Sequence, residues 1–141
     1  MSVCNHVPDP TREKGGAPPA MRPTLTGTRH MVVAGHHVAS HAAFEILEAG
    51  GNAVDAGVAA GLTMSVVQSE FVNFAGVAPM MIRMAETGEV ITIDGLGCWP
   101  RAASLDHFVD VHAGPIPGGI LRTVVPAAPY AWITALEKFG T

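Results

Sequence analysis

At 141 residues, with 8 Lys and Arg against 12 Asp and Glu and a net charge of −4, the chain is long enough for one domain and not for several, and it has no basic stripe that could release counterions from nucleic-acid phosphates. It is 48% hydrophobic but only 14% charged, against about 25% charged in an average soluble domain, so it has little polar surface to cover a body of its own and reads as the inside of something larger. Its 2 cysteines, Cys4 and Cys98, form neither a close pair nor a CxxC spacing, which argues against a disulfide framework and a thiolate zinc site.

The first 25 residues contain no apolar run of secretory-signal length. The longest apolar stretch, 53–67, is broken by Asp55 and falls short of the ~20 residues of a membrane span. A cytoplasmic protein with reduced thiols is expected, with neither a membrane nor a nucleic acid as partner. Residues 1–29 hold four of the eight basic residues and five of the eleven prolines, with Gly15-Gly16 and Pro18-Pro19 breaking any periodicity; they are predicted to be a disordered tail. Met21 opens MRPTLTGTRHMVV and is a candidate start, residues 1–20 then being an upstream extension.

From His30 to His36 the chain is apolar, partly β-branched and interrupted by Gly35, which predicts a short buried strand. A helix should follow, with Ser40 as its N-cap, an apolar face of Ala43, Phe44, Ile46, Leu47 and Ala49, solvent-facing Glu45 and Glu48, and Gly50-Gly51 as its C-terminal stop. Asn52 is placed to cap a second helix over 53–68. Its residues are apolar on every side, the pattern of a helix buried on all faces, and Gly57 and Gly61 leave a stripe where another backbone can approach, at about 1 kcal/mol of helix propensity each.

After a loop over 70–79, two short apolar runs, 80–84 and 90–93, flank Glu86-Thr87-Gly88-Glu89 and predict a β-hairpin. Ser104 is expected to cap a short helix over 105–109, a Gly/Pro-rich loop runs through 114–119, and a last helix covers 127–139, with Ala128, Ala131, Trp132, Ala135 and Leu136 at helical spacing and Gly140 ending it. The sequence stops one residue later, which predicts a piece of a longer protein. Such a piece is expected to fold poorly by itself, because the apolar second helix would expose one side.

Chemistry-bearing residues are few. His30, His36, His37 and His41 lie close in sequence, but a metal site needs three or four ligands with support behind them, and a strand would throw His36 and His37 to opposite faces; partly buried, hydrogen-bonded imidazoles are the simpler reading, and neither metal nor cofactor is expected. Asp55 fits two roles, a buried acid with a raised pKa or a first-turn anion on the positive end of its helix; its position three residues after Asn52 favours the latter. Asp94, at a strand end, is better placed to feed a binding loop. No GxSxG, GxxxxGK[ST] or SxxK pattern occurs, so spacing alone leaves the reaction open.

The order of residues is more informative. Met31, Val32, His36, Ala39 and Ser40, followed by Gly50-Gly51-Asn52-Ala53-Val54-Asp55-Ala56 and an alanine-rich run to Val66-Val67, resemble the N-terminal signature region of the gamma-glutamyltranspeptidase family. The likeness continues through the Thr-Gly-Glu turn, Ile93-Asp94 and Pro100 to Lys138-Phe139-Gly140-Thr141. It implies an α+β chain, the N-terminal fragment of an αββα N-terminal-nucleophile hydrolase sandwich, with residues 30–141 forming the first part of the large subunit. It also implies a precursor that cuts itself, a catalytic threonine beyond Thr141 whose own α-amino group acts as base, no catalytic residue within this chain, a small-molecule amide substrate, and the rest of the large subunit and the small subunit as partners.

Two departures from the family pattern bear on specificity. Where the family carries an arginine that clamps the α-carboxylate of the γ-glutamyl group, this chain has Leu96-Gly97; losing one member of such a charge pair costs about 2–5 kcal/mol. Arg101 is the nearest cation in sequence that could reach the same pocket, and Leu96, Gly97 and Arg101 are the candidate substrate-binding positions, although an arginine there also suits a solvated surface. In the loop 71–78 a glycine-rich family motif becomes Phe71-Val72-Asn73-Phe74-Ala75-Gly76-Val77-Ala78, so Phe71, Phe74 and Trp99 are expected to line a more apolar pocket. These changes imply an amide hydrolase or acyltransferase with altered acyl specificity, the alternative being a non-catalytic remnant or assembly subunit of the same fold.

Overall fold

The computed structural model describes residues 25–141, so most of the expected tail, both candidate starts and Cys4 lie outside the described residues. In chain order there follow α1 (His37–Glu48), α2 (Ala53–Val67), β1 (Met80–Arg83), β2 (Val90–Ile93), α3 (Leu105–His112), a 3-10 turn (Ile120–Arg122) and α4 (Ala128–Phe139). This is the mixed helix and strand content of an α+β chain. Among the described residues, no helix is long and apolar enough to cross a membrane.

Residues 30–36 do not form the expected strand. Their exposure alternates, with Val32 and Ala34 half-buried and Met31 and Val33 exposed, but among the described residues no strand pairs with them, and an extended segment without a ladder partner is not a strand. Helix α1 then begins four residues earlier than Ser40 predicts: His36 is extended, and its Nδ1 accepts from the Val38 N–H at 3.2 Å. An imidazole nitrogen here does what a serine hydroxyl usually does. The other end follows expectation, since Gly50 N–H donates to Leu47 O and Gly51 N–H to Ile46 O at 3.2 and 3.0 Å, the paired bonds of a Schellman stop.

Asn52 caps α2 in a reciprocal box: its side chain accepts from Val54 and Asp55 N–H groups, and the Asp55 carboxylate accepts from Asn52 N–H at 2.8 Å. The Asn52 Nδ2 also donates to Phe139 O at 2.6 Å, which ties the start of α2 to the end of α4. Between them lies the core, Val58, Ala128, Trp132 and Ala135, with Val54, Val72, Ala78, Met80 and Ile93 packed against it. Helix α1 packs on α2 through Ala39 and Ala43, both buried.

The all-round apolar α2 is not buried on all faces here. It buries Ala56, Val58 and Met64 but leaves Val66 79% exposed, because α1 and α4, its main partners among the described elements, cover only part of its circumference. The glycine stripe divides too: a Cβ on Gly61 would meet the Trp132 indole at 3.1 Å, a side chain and not a backbone, whereas at Gly57 it would meet nothing within 4 Å. Strands β1 and β2 pair antiparallel in the register Met80↔Ile93, Ile82↔Ile91. Alternation turns those four residues inward and Met81, Arg83, Val90 and Thr92 outward.

Candidate functional site

The segment leaving β2 is bent by two close backbone contacts. Gly95 and Gly97 have φ of +59° and +78°, and a Cβ at either would overlap a carbonyl oxygen, that of Ala78 or of Val125. Only glycine meets both demands. The result lays 96–100 along the wall of a mostly apolar cleft of about 940 Å³ that is also lined by α3 and the segment 115–125.

Helix α3 is held in place by Ser104, whose hydroxyl accepts from His107 N–H at 3.2 Å as expected, but it runs on to His112, three residues past the predicted end. Ala113 stops it in the left-handed region at φ +57°. Phe108, buried, points from α3 into the cleft and meets the Trp99 ring edge-on at 6.0 Å, a favourable aromatic geometry. Helix α4 begins without a side-chain cap; Gly76 O accepts from both Ala127 and Ala128 N–H at 3.1 Å, so the altered loop 71–78 positions α4 and, through it, the floor beneath Val125.

Of the residues singled out from sequence, Leu96 and Gly97 line this cleft, and Leu96 is 50% exposed at its mouth. Arg101 is exposed in the following turn and contributes nothing to the wall. The three aromatics expected to converge do not: Trp99 lines the cleft, Phe74 packs edge-on against Trp132 at 5.7 Å, and Phe71 stays exposed. The reason is that 71–78 packs on α4, while Trp99 follows the second glycine bend. Asp94 is exposed beside a separate shallow depression with Pro79, Met81 and Thr92.

The cleft instead contains polar groups that sequence spacing did not single out, His107, Arg122 and Thr123. Arg122 is 26 positions from Leu96 and sits beyond a Gly/Pro-rich loop, so no periodicity connects them. Arg122 is exposed, its Nε donates to Ile116 O at 3.2 Å, and it makes no salt bridge among the described residues.

Elsewhere, the titratable groups have structural work. Asp55 accepts from Asn52 N–H and from the Thr141 hydroxyl at 2.7 Å. The Thr141 hydroxyl bond, foremost, and then the Asn52 bond hold its pKa below the ordinary value against the opposing effect of desolvation, the reverse of a proton-shuttling acid. His36 and His37 are stacked at 4.4 Å and not thrown apart. His30 Nε2 and Arg29 both reach Glu48 Oε1, at 2.9 and 2.7 Å. Among the described residues, no three His, Cys, Asp or Glu side chains gather where a metal ion could sit.

Residues 39–141 match the family model described as Gamma-glutamyltranspeptidase. Two curated relatives are each 36% identical: an Acylase ACY 1 proenzyme from a Pseudomonas strain, aligned over 82% of this chain and 22% of the relative, and a Glutathione hydrolase proenzyme from another Pseudomonas strain, aligned over 79% and 20%. The crystal structure of Helicobacter pylori gamma-glutamyltranspeptidase superposes with a TM-score of 0.75 at 30% identity, over 84% of this chain and 35% of that one. The chain thus spans about a fifth of the length of these curated relatives.

Proposed function

Because the chain belongs to the gamma-glutamyltranspeptidase family, we propose that it forms the first part of the large subunit of an autoprocessed amide hydrolase or acyltransferase, with an acyl group other than γ-glutamyl as its substrate. The nucleophile is a threonine outside residues 1–141, freed at the start of the small subunit. Its hydroxyl attacks the amide carbonyl while its own α-amino group takes the proton, so this chain supplies recognition and not the reacting groups. Its partners are the remainder of the large subunit and the small subunit.

The observation that carries the specificity is Leu96, half-exposed at the mouth of a cleft walled by Trp99 and Phe108, at the position where the resemblance puts a carboxylate-clamping arginine. A guanidinium grips a carboxylate through two charge-assisted bonds; a leucine grips only apolar surface. Gly97 supports this reading by letting the backbone pass against Val125, which keeps the cleft open beside Leu96. The names acylase and glutathione hydrolase among the relatives support amide chemistry with more than one acyl group in the family.

The test is hydrolysis of γ-glutamyl-p-nitroanilide by the full-length gene product and by Leu96→Arg. Losing one partner of a buried charge pair costs about 2–5 kcal/mol, so Leu96→Arg should raise kcat/KM on this substrate by roughly 30-fold or more while lowering it on p-nitroanilides of apolar acyl groups. A wild-type rate on the γ-glutamyl substrate equal to that of an authentic transpeptidase would overturn the reading.

A further inference from the structure

The cleft beside Leu96 is mostly apolar, yet it contains one arginine. Arg122 arrives from the 3-10 turn (Ile120–Arg122), its Nε held by Ile116 O at 3.2 Å, and no carboxylate pairs with it among the described residues. Asp106 and Asp110 lie on α3 but outside the cleft wall. A guanidinium whose Nε is occupied still presents its terminal nitrogens as a fork suited to a carboxylate. A mostly apolar cleft with a few polar groups, one of them a guanidinium, selects ligands that have an apolar body and a complementary negative charge.

We propose that this cleft binds an amphipathic monocarboxylate of the arylalkyl type, its ring against the exposed side of Trp99 and its carboxylate on Arg122. The volume of about 940 Å³ is at the upper end of small-ligand pockets, which run from about 300 to 1,000 Å³, and the edge-on pair of Trp99 and Phe108 supplies faces for an aromatic ring. The inference rests on the reading of the cleft as the acyl site: the free acid is the product that hydrolysis of an apolar amide leaves there, and its binding does not itself require turnover.

The experiment is an equilibrium titration of the full-length gene product with 4-phenylbutyrate and, separately, with its neutral amide, followed by tryptophan fluorescence, since Trp99 stands in the wall. Wild type should bind the carboxylate about tenfold more tightly than the amide, as one charge-assisted contact at a partly solvated site gives, and that preference should shrink with added salt. Arg122→Gln should reduce the ratio to about one with amide affinity unchanged. Arg122→Lys, which keeps the charge without the fork, should fall between and covers the case in which the glutamine variant does not fold.

Equal affinity of wild type for acid and amide, a preference that survives Arg122→Gln, or no saturable binding by folded protein would each overturn the proposal. Failure of acylase activity with this binding intact would sink the functional reading alone, so the two are separable.

Discussion

Gly97→Ala probes the physical claim on which the cleft depends. At φ +78° a residue with a Cβ loses about 1–2 kcal/mol relative to glycine, and the added methyl would overlap the Val125 carbonyl oxygen. Backbone cannot rotate aside as a long side chain can, so one of the two segments must shift, at about 1–3 kcal/mol by analogy with overpacked cores. The sum is about 2–5 kcal/mol. With a urea dependence of about 2 kcal/mol per molar, the unfolding midpoint of the full-length gene product, followed by far-UV circular dichroism, should drop by about 1–2.5 M. Gly118→Ala is the matched control: its φ is not in the left-handed region and a Cβ there meets nothing within 4 Å, so the midpoint should hold or rise slightly through lower unfolded-state entropy. Equal midpoints for wild type and Gly97→Ala would refute the close approach of 97 to 125, and with it the account of how Leu96 reaches the cleft.

Asp55→Asn should lose about 1 kcal/mol near neutral pH through the broken capping box and weaker Thr141 contact. Because the Asp55 pKa lies below its ordinary 3.8, its stabilisation is whole above that value and is lost as pH falls through the lower folded-state pKa. Urea midpoints measured from pH 7 into acid should therefore converge for wild type and variant below pH 3.8, and parallel curves would contradict the assigned bonds. Trp132→Ala removes a side chain that is 5% exposed, touches Gly61 and meets Phe74 edge-on; it should cost about 3–5 kcal/mol, and a shift under 1 kcal/mol in the same assay would remove Trp132 from the core.

Much of the local architecture follows from the sequence alone because its causes are local. The Gly50-Gly51 stop, the Asn52 and Ser104 caps, the hairpin around Thr87-Gly88 and the apolar positions of α4 each arise from interactions within a few residues, and each appears where the sequence places it. The same locality makes Asp55 legible as a first-turn anion. The family is legible for a related reason: the residues that carry the resemblance lie mostly in one contiguous stretch, 31–67, where the caps and helix stops also sit.

Contacts between distant segments are where sequence reading stops. Whether 30–36 becomes a strand depends on a partner edge, and whether α2 is covered on all sides depends on elements that must come to it; neither is encoded in the segment itself. Ser40 loses the cap to His36 because an imidazole nitrogen at the right backbone angle serves as well. Phe71, Phe74 and Trp99 look like one aromatic set by type, but the loop to α4 and the glycine bends after β2 send them to different places. Arg122 joins Leu96 across 26 positions only because Gly97 can lie against Val125, a proximity of backbones that no side-chain pattern along the chain records.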